Sequence, residues 1–172
     1  MLDGVHVLGD YWRATVDEPT PLGALVAAAK ERDDPAARAE LCALLADRVP
    51  HLALDVDSLV LAVPPGPDRT AHPVPALAAA VAEALGVEPS ELVARRNATK
   101  RLRDTAIELR RTVVEAAGYV VTGDVAGRSI VLVDDVVLTG TTLGYLAEIL
   151  AAAGATRVDA VVVCRTRQSG RD

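Results

Sequence analysis

Aromatic side chains are nearly missing from this chain: of its 172 residues three are Tyr, one is Trp and none is Phe. A stacking platform for single-stranded nucleic acid needs a row of rings, so that class is disfavoured. Cysteine is equally sparse. Cys42 and Cys164 cannot build a four-cysteine zinc ribbon or a disulfide framework, and neither has histidines at ligand spacing; both read as small buried hydrophobes. Lysine occurs twice against sixteen arginines, and acidic residues outnumber basic ones to leave a net charge of -6, which argues against broad electrostatic binding to DNA or RNA. Long apolar runs are absent as well. Lys30, Glu83 and Glu148 interrupt the longest Ala/Leu/Val stretches short of a bilayer span, and Met1-Leu2-Asp3-Gly4 lacks the basic start of a secretory leader. The expectation is a soluble cytoplasmic protein with no membrane partner and no direct grip on nucleic acid.

What is present is the composition of a folded domain, 51% hydrophobic and 24% charged, in a length that suits one core. Short strands are expected at Val5–Leu8 and around Tyr11–Val16, joined at Gly9-Asp10. Thr20-Pro21 and Asp34-Pro35 each read as an N-cap followed by proline at the first helical position, predicting helices to about Arg32 and to about Pro50. Ser58–Val63 is a short continuous apolar run closed by Pro64-Pro65-Gly66, the pattern of a strand buried on both faces. A helix over Val74–Leu85, a strand near Leu92-Val93, a helix near Glu108–Ala117, and strands at Tyr119–Val121, Ser129–Val133 and Val158–Cys164 follow, with a further helix to about Ala153 stopped by Gly154. Strands alternating with helices predict an α/β fold with a mostly parallel sheet.

The most informative stretch is Ile130-Val131-Leu132-Val133-Asp134-Asp135-Val136-Val137-Leu138-Thr139-Gly140-Thr141-Thr142. A buried strand that ends in vicinal carboxylates sets them at the carboxyl edge of the sheet, where α/β proteins bind ligands. The Thr/Gly loop that opens the next helix offers backbone N–H groups, hydroxyls and the positive end of the helix dipole to a phosphate, without any lysine. Together they imply a ligand with both hydroxyls and phosphate; the competing reading is an ordinary strand, turn and helix with Asp135 and Thr139 as caps. A second feature is residues 95–111, where Arg95, Arg96, Lys100, Arg101, Arg103, Arg110 and Arg111 face only Asp104 and Glu108, a local net of +5 in an acidic chain. Such a concentration points to a specific polyanion, or else to a solvated basic helix face.

The 130–142 stretch resembles the 5-phosphoribosyl-1-pyrophosphate (PRPP) motif of type I phosphoribosyltransferases, with twelve of its thirteen positions fitting. The resemblance implies a parallel sheet flanked by helices with a small N-terminal hood, as a single domain over 1–172: about 1–50 hood and N-terminal helices, about 55–165 core. It implies that Asp134 and Asp135 hold the ribose hydroxyls, directly or through Mg²⁺, and that Thr139, Gly140, Thr141 and Thr142, with Val136, Val137 and Leu138 leading into them, hold the 5′-phosphate. The loop after the first core strand would bind pyrophosphate, making Pro65, Gly66 and Arg69 candidates, with a rigid proline turn as the competing reading. The mobile loop before the motif strand would close over the site, and there Lys100, Arg101 and Arg103 are candidates for neutralising departing pyrophosphate. Tyr11 and Trp12 would either anchor a small hairpin or stack on a flat acceptor.

Leu25-Val26-Ala27-Ala28-Ala29-Lys30, followed by Asp33-Asp34 and the helix carrying Leu41 and Leu45, is similar to the region before the core in the ComF-like subgroup. That subgroup's zinc ribbon and its Arg-Gly-Phe-Asn-Gln segment are both absent. The implied chemistry is displacement at C1 of PRPP by a small nitrogenous acceptor, with a homodimer as the candidate assembly. The alternatives are a silent PRPP-binding regulator and a protein partner in DNA uptake. Leu138 is the one position outside the pattern. In the branch that resembles hypoxanthine-guanine phosphoribosyltransferases it is an Asp placed to exchange a proton with the purine ring.

Overall fold

The computed structural model describes residues 2–66, 72–99 and 105–167. Its main sheet has five parallel strands in the order β1-β7-β6-β2-β3, where β1 is Gly4–Asp10, β2 Leu59–Ala62, β3 Pro89–Ser90, β6 Ser129–Val137 and β7 Arg157–Arg165. Two further strands, β4 (Val93–Arg95) and β5 (Tyr119–Val121), form a separate antiparallel pair. Helices α1 (Pro21–Glu31), α2 (Pro35–Arg48) and α3 (Val74–Leu85) cover one face of the main sheet, and α4 (Arg110–Ala116) and α5 (Thr141–Ala152) the other. The expected α/β architecture is therefore the observed one.

The layers follow from alternation along the strands. Val131 and Val133 of β6 pack with Val26, Leu41, Leu45, Leu77 and Val81 on the α1–α3 side, while Ile130 and Leu132 pack with Leu143, Leu146 and Leu150 on the α5 side. With both faces covered, β6 and β7 have to be apolar on both, which is why they read as continuous hydrophobic runs.

The helix starts are local chemistry. Thr20 accepts a hydrogen bond from Gly23 N at 2.9 Å, and Asp34 accepts from Ala36 N at 2.9 Å and Ala37 N at 3.2 Å, each with proline in the first turn. Gly23 has a second duty: a Cβ there would run into the Tyr11 backbone carbonyl, which already accepts from Thr20 N at 2.9 Å. Backbone cannot be displaced as a flexible side chain can. Gly23→Ala is therefore expected to push α1 outward and destabilise the protein by about 1–3 kcal/mol, measurable as a lower midpoint in urea unfolding.

Two expectations are corrected. No hairpin turns at Gly9-Asp10. Gly4–Asp10 is one strand, hydrogen-bonded in parallel to β7 along its whole length, and the chain leaves the sheet at Tyr11, whose N–H donates to the Arg165 carbonyl at 2.8 Å. The outer edge of β7 needs backbone partners, and the first strand meets that need better than a local turn would. Beyond it only Trp12 and Pro19 form a bridge. The motif strand is also longer than Ser129–Val133: it stays paired with β7 to Val137, so both motif carboxylates lie within a strand and not beyond its end. Among the described residues no helix is long and apolar enough to cross a membrane.

Candidate active site at the carboxyl edge of the sheet

Because adjacent strand residues point to opposite faces, β6 sends its two acids apart. Asp135 turns toward α1. It is 3% exposed, and Lys30 Nζ lies 2.7 Å from its Oδ1 and 2.6 Å from its Oδ2. Tyr11 and Cys164 share this pocket: burial first, then nearby negative charge that includes Asp135, pushes the Tyr11 phenol up and the Cys164 thiol up to about 12. Cys164 is fully buried and Cys42 partly so; both are free thiols, in keeping with their reading as small hydrophobes.

Asp134 turns toward β5. Its Oδ1 accepts from the Asp135 N–H at 2.8 Å, and it lies close enough to Tyr119 to act on its phenol. That phenol is raised chiefly by burial, with Arg95 opposing the shift and Asp134 adding to it. Arg95 sits directly across from Tyr119 in the β4–β5 pair, its guanidinium 5.7 Å from the ring centroid. The same guanidinium donates to Thr99 Oγ1 at 2.6 Å, and Nη1 is 3.6 Å from where a Cβ on Gly66 would stand. The loop after β2 and the basic segment thus meet through Gly66 and Arg95.

Past β6 the chain bends into α5 at Gly140, whose φ of +73° is the left-handed region that favours glycine. No side chain caps α5, and none caps α3, the helix that follows the β2 loop; α1 and α2 both have side-chain caps. An uncapped helix start at this edge leaves backbone N–H groups for a ligand. Thr139 Oγ1 and Thr141 Oγ1 are 2.8 Å apart across the bend.

Asp134 lies by Tyr119, Tyr119 by Arg95 and Arg95 by Gly66, and Val136, Val137 and Leu138 carry the chain from the acid to the Thr139–Thr142 bend. Pro65 is exposed beside Gly66, with no cis peptide bond among the described residues. Arg69, Lys100, Arg101 and Arg103 lie outside the described residues. Trp12 donates Nε1–H to Thr166 Oγ1 at 3.0 Å and meets Tyr11 edge-to-face at 4.9 Å, so the pair anchors the chain to the end of β7.

Two residues were passed over in sequence. In sequence Lys30 stands out only as a break in an apolar run and as part of a similar segment, and Arg110 only as one of seven cations. A signal existed for both. Lys30 is four residues after buried Val26, and Arg110 four before buried Val114, so each places a cation on the apolar stripe of its helix.

A family model for the phosphoribosyl transferase domain matches residues 75–172. The chain belongs to the phosphoribosyltransferase family. Two solved structures are similar to this chain. One is described as the allosteric regulatory enzyme of purine biosynthesis (24% identity, 73% of this chain and 26% of that one, TM-score 0.51). The other is the glutamine PRPP amidotransferase from B. subtilis complexed with ADP and GMP (23% identity, 73% and 26%, TM-score 0.51). At such identities the likeness establishes the fold, and the chain spans about a quarter of the length of either enzyme. No curated protein matches the sequence.

Members of the family generally use Mg²⁺ with PRPP. Among the described residues no group of three or more His, Cys, Asp or Glu side chains could hold a metal ion, and Lys30 already lies against Asp135. The donor set therefore suits an ion that arrives with its substrate, since Mg²⁺ is commonly bound through one or two carboxylates plus substrate phosphates and water. Asp134, on the Tyr119 side of the strand and away from Lys30, would be the carboxylate to meet such an ion.

Proposed function

We propose that this protein transfers the 5-phosphoribosyl group of PRPP to a small nitrogenous acceptor and releases pyrophosphate. The observation that carries the reading is the juxtaposition, at one sheet edge, of the Asp134 carboxylate with the uncapped N-terminus of α5. A ribose 5-phosphate has hydroxyls for the first and a phosphate for the second.

Thr139–Thr142 would seat the 5′-phosphate, and Asp134 would hold the ribose hydroxyls. Asp135 would act from behind, fixed by Lys30. Gly66 allows close backbone approach to the diphosphate and Arg95 supplies a guanidinium there, with Pro65 and Arg69 as further members of that loop. Bound Mg²⁺ would supply charge neutralisation on the leaving pyrophosphate. Lys100, Arg101 and Arg103, which lie between β4 and β5 in sequence, would neutralise the departing group. The bond from C1 to the pyrophosphate oxygen breaks, the acceptor nitrogen bonds to C1, and the acceptor loses a proton. Such a reaction needs position and electrostatics more than a protein nucleophile.

We read the chain as one domain, with residues 55–165 as the core and 1–50 as the N-terminal strand, hood segment and two helices. The ComF-like affinity rests on the Leu25–Lys30 helix, whose lysine reaches a motif acid. A silent PRPP binder is the second reading, favoured by the engagement of one of the two acids with that lysine. Pyrophosphate release from PRPP with Mg²⁺, followed over a panel of amines and nucleobases, decides between them. Turnover with any acceptor supports transfer, whereas calorimetric binding of PRPP without turnover supports the binder.

Leu138 narrows the acceptor. Leucine can neither take nor give the proton that an Asp at this position would exchange with a 6-oxopurine, a role worth roughly 10² to 10⁴ in rate. Negligible formation of inosine or guanosine monophosphate is expected, and Leu138→Asp alone is not expected to create it. Efficient formation of either product by the unaltered protein would exclude this account of the pocket.

A further inference from the structure

Arg110 is the first residue of α4 and is only 2% exposed, the largest of the fully buried side chains. Its Nε–H donates to the Thr105 carbonyl at 3.2 Å, and Nη1 points at Thr139 Oγ1, 3.5 Å away. Both acceptors are neutral. Among the described residues no carboxylate forms an ion pair with it. The adjacent Arg111 has the opposite fate: exposed, it is held by Glu115 at 2.7 Å and Glu148 at 2.6 Å, and it stacks over Tyr145 at 4.9 Å. One arginine has two counter-charges in water, and its neighbour has none among the described residues although it lies in the interior, where a lone charge is most costly.

The direction of Arg110 matters as much as its burial. Its guanidinium is aimed at the hydroxyl that begins the bend into α5, and the first turn of α5 is itself positive and uncapped. A cation and a helix N-terminus that converge repel each other unless an anion lies between them. The hydroxyls add a second argument. Thr139 Oγ1 accepts from Arg110, so its own proton is left to donate, and Thr141 Oγ1 lies 2.8 Å away. With Arg110 as its donor, Thr139 can give its own proton to Thr141, which leaves the Thr141 hydroxyl proton for an anion at the bend.

We infer that Arg110 is a positioning residue for a phosphate monoester: its buried guanidinium supplies the counter-charge and, through Thr139, orients the Thr139–Thr142 bend to receive the phosphate. This rests on the reading of that bend as the 5′-phosphate seat and extends it to a residue outside the motif. Removing the charge while keeping the bulk should separate binding from folding. Without ligand, Arg110→Met is expected to lose little stability in urea, because the charge it removes has no carboxylate partner among the described residues and its hydrogen bonds go to neutral groups. The same variant should bind ribose 5-phosphate about ten- to a hundred-fold more weakly by calorimetry, and pyrophosphate within about twofold of the unaltered protein.

Arg110→Lys, which keeps charge and loses the fork, should fall between, and Thr139→Val should reproduce the loss for ribose 5-phosphate. These two carry the test if Arg110→Met does not fold. Equal affinity of the unaltered protein and the variants for ribose 5-phosphate overturns the inference while leaving the seat in place. A larger loss for pyrophosphate than for ribose 5-phosphate also overturns it, because Arg110 would then serve the leaving group. Unaltered protein that binds neither compound overturns the seat and the inference together.

Discussion

Lys30→Met is expected to lower the unfolding free energy by about 3–5 kcal/mol. The Lys30 side chain is 19% exposed and the Asp135 side chain 4%, so the pair lies in the interior of the α1–β6 interface, with the ammonium against both carboxylate oxygens. Taking away the cation keeps the burial of the anion and removes its closest charge. The double variant Lys30→Met/Asp135→Leu removes both charges and is expected to recover most or all of the loss, because an apolar pair of similar volume is often neutral or stabilising in place of a buried ion pair. Exposed pairs of the same type behave differently. Arg38 and Asp33 meet at 2.5 Å, but with 62% of the Asp33 side chain in solvent, so Arg38→Met should cost no more than about 1 kcal/mol. Urea unfolding of the four proteins at neutral pH tests the ranking; a Lys30→Met loss as small as that of Arg38→Met would mean that the pair does not bind α1 to the sheet.

The contrast between local and distant information explains which parts of the architecture were legible. Thr20-Pro21 and Asp34-Pro35 carry their meaning within four residues, and the helices start where those dipeptides place them. The apolar runs at Leu59–Ala62 and within Ser129–Val137 state their burial directly. The first strand does not. Its partner β7 lies more than 150 residues away in sequence, and Gly9-Asp10 looks locally like a turn because nothing nearby announces an unfilled sheet edge. The acids posed a similar problem. Two adjacent Asp residues look like one site, but once the strand runs on to Val137 its pleat sends them to opposite faces. Lys30, which meets one of them, lies 105 residues earlier. Residue types point to a candidate site at this sheet edge, while the division of labour proposed within it depends on pairings that only the fold creates.

That division leads to the second large effect. Asp134→Asn is expected to weaken binding of PRPP with Mg²⁺ by about 1.5–3 kcal/mol, the range for a lost charge-assisted contact, with little change in stability. The carboxylate is partly exposed on the Tyr119 side of β6, where Arg95 and Gly66 also lie. Asp135→Asn is expected to do the reverse. It leaves the Lys30 ammonium in the interior without the anion at 2.6 Å, so its main cost is folding free energy, and PRPP affinity of the folded fraction should fall less than in Asp134→Asn. Were the acids an equivalent clamp on the ribose, both variants would lose affinity alike and neither would lose much stability. Calorimetry with PRPP and Mg²⁺, paired with urea unfolding of the same preparations, separates the two schemes because it reads each carboxylate on both axes. Equal losses of affinity at near-wild-type stability would return Asp135 to the substrate side and leave Lys30 as a competitor that the sugar displaces.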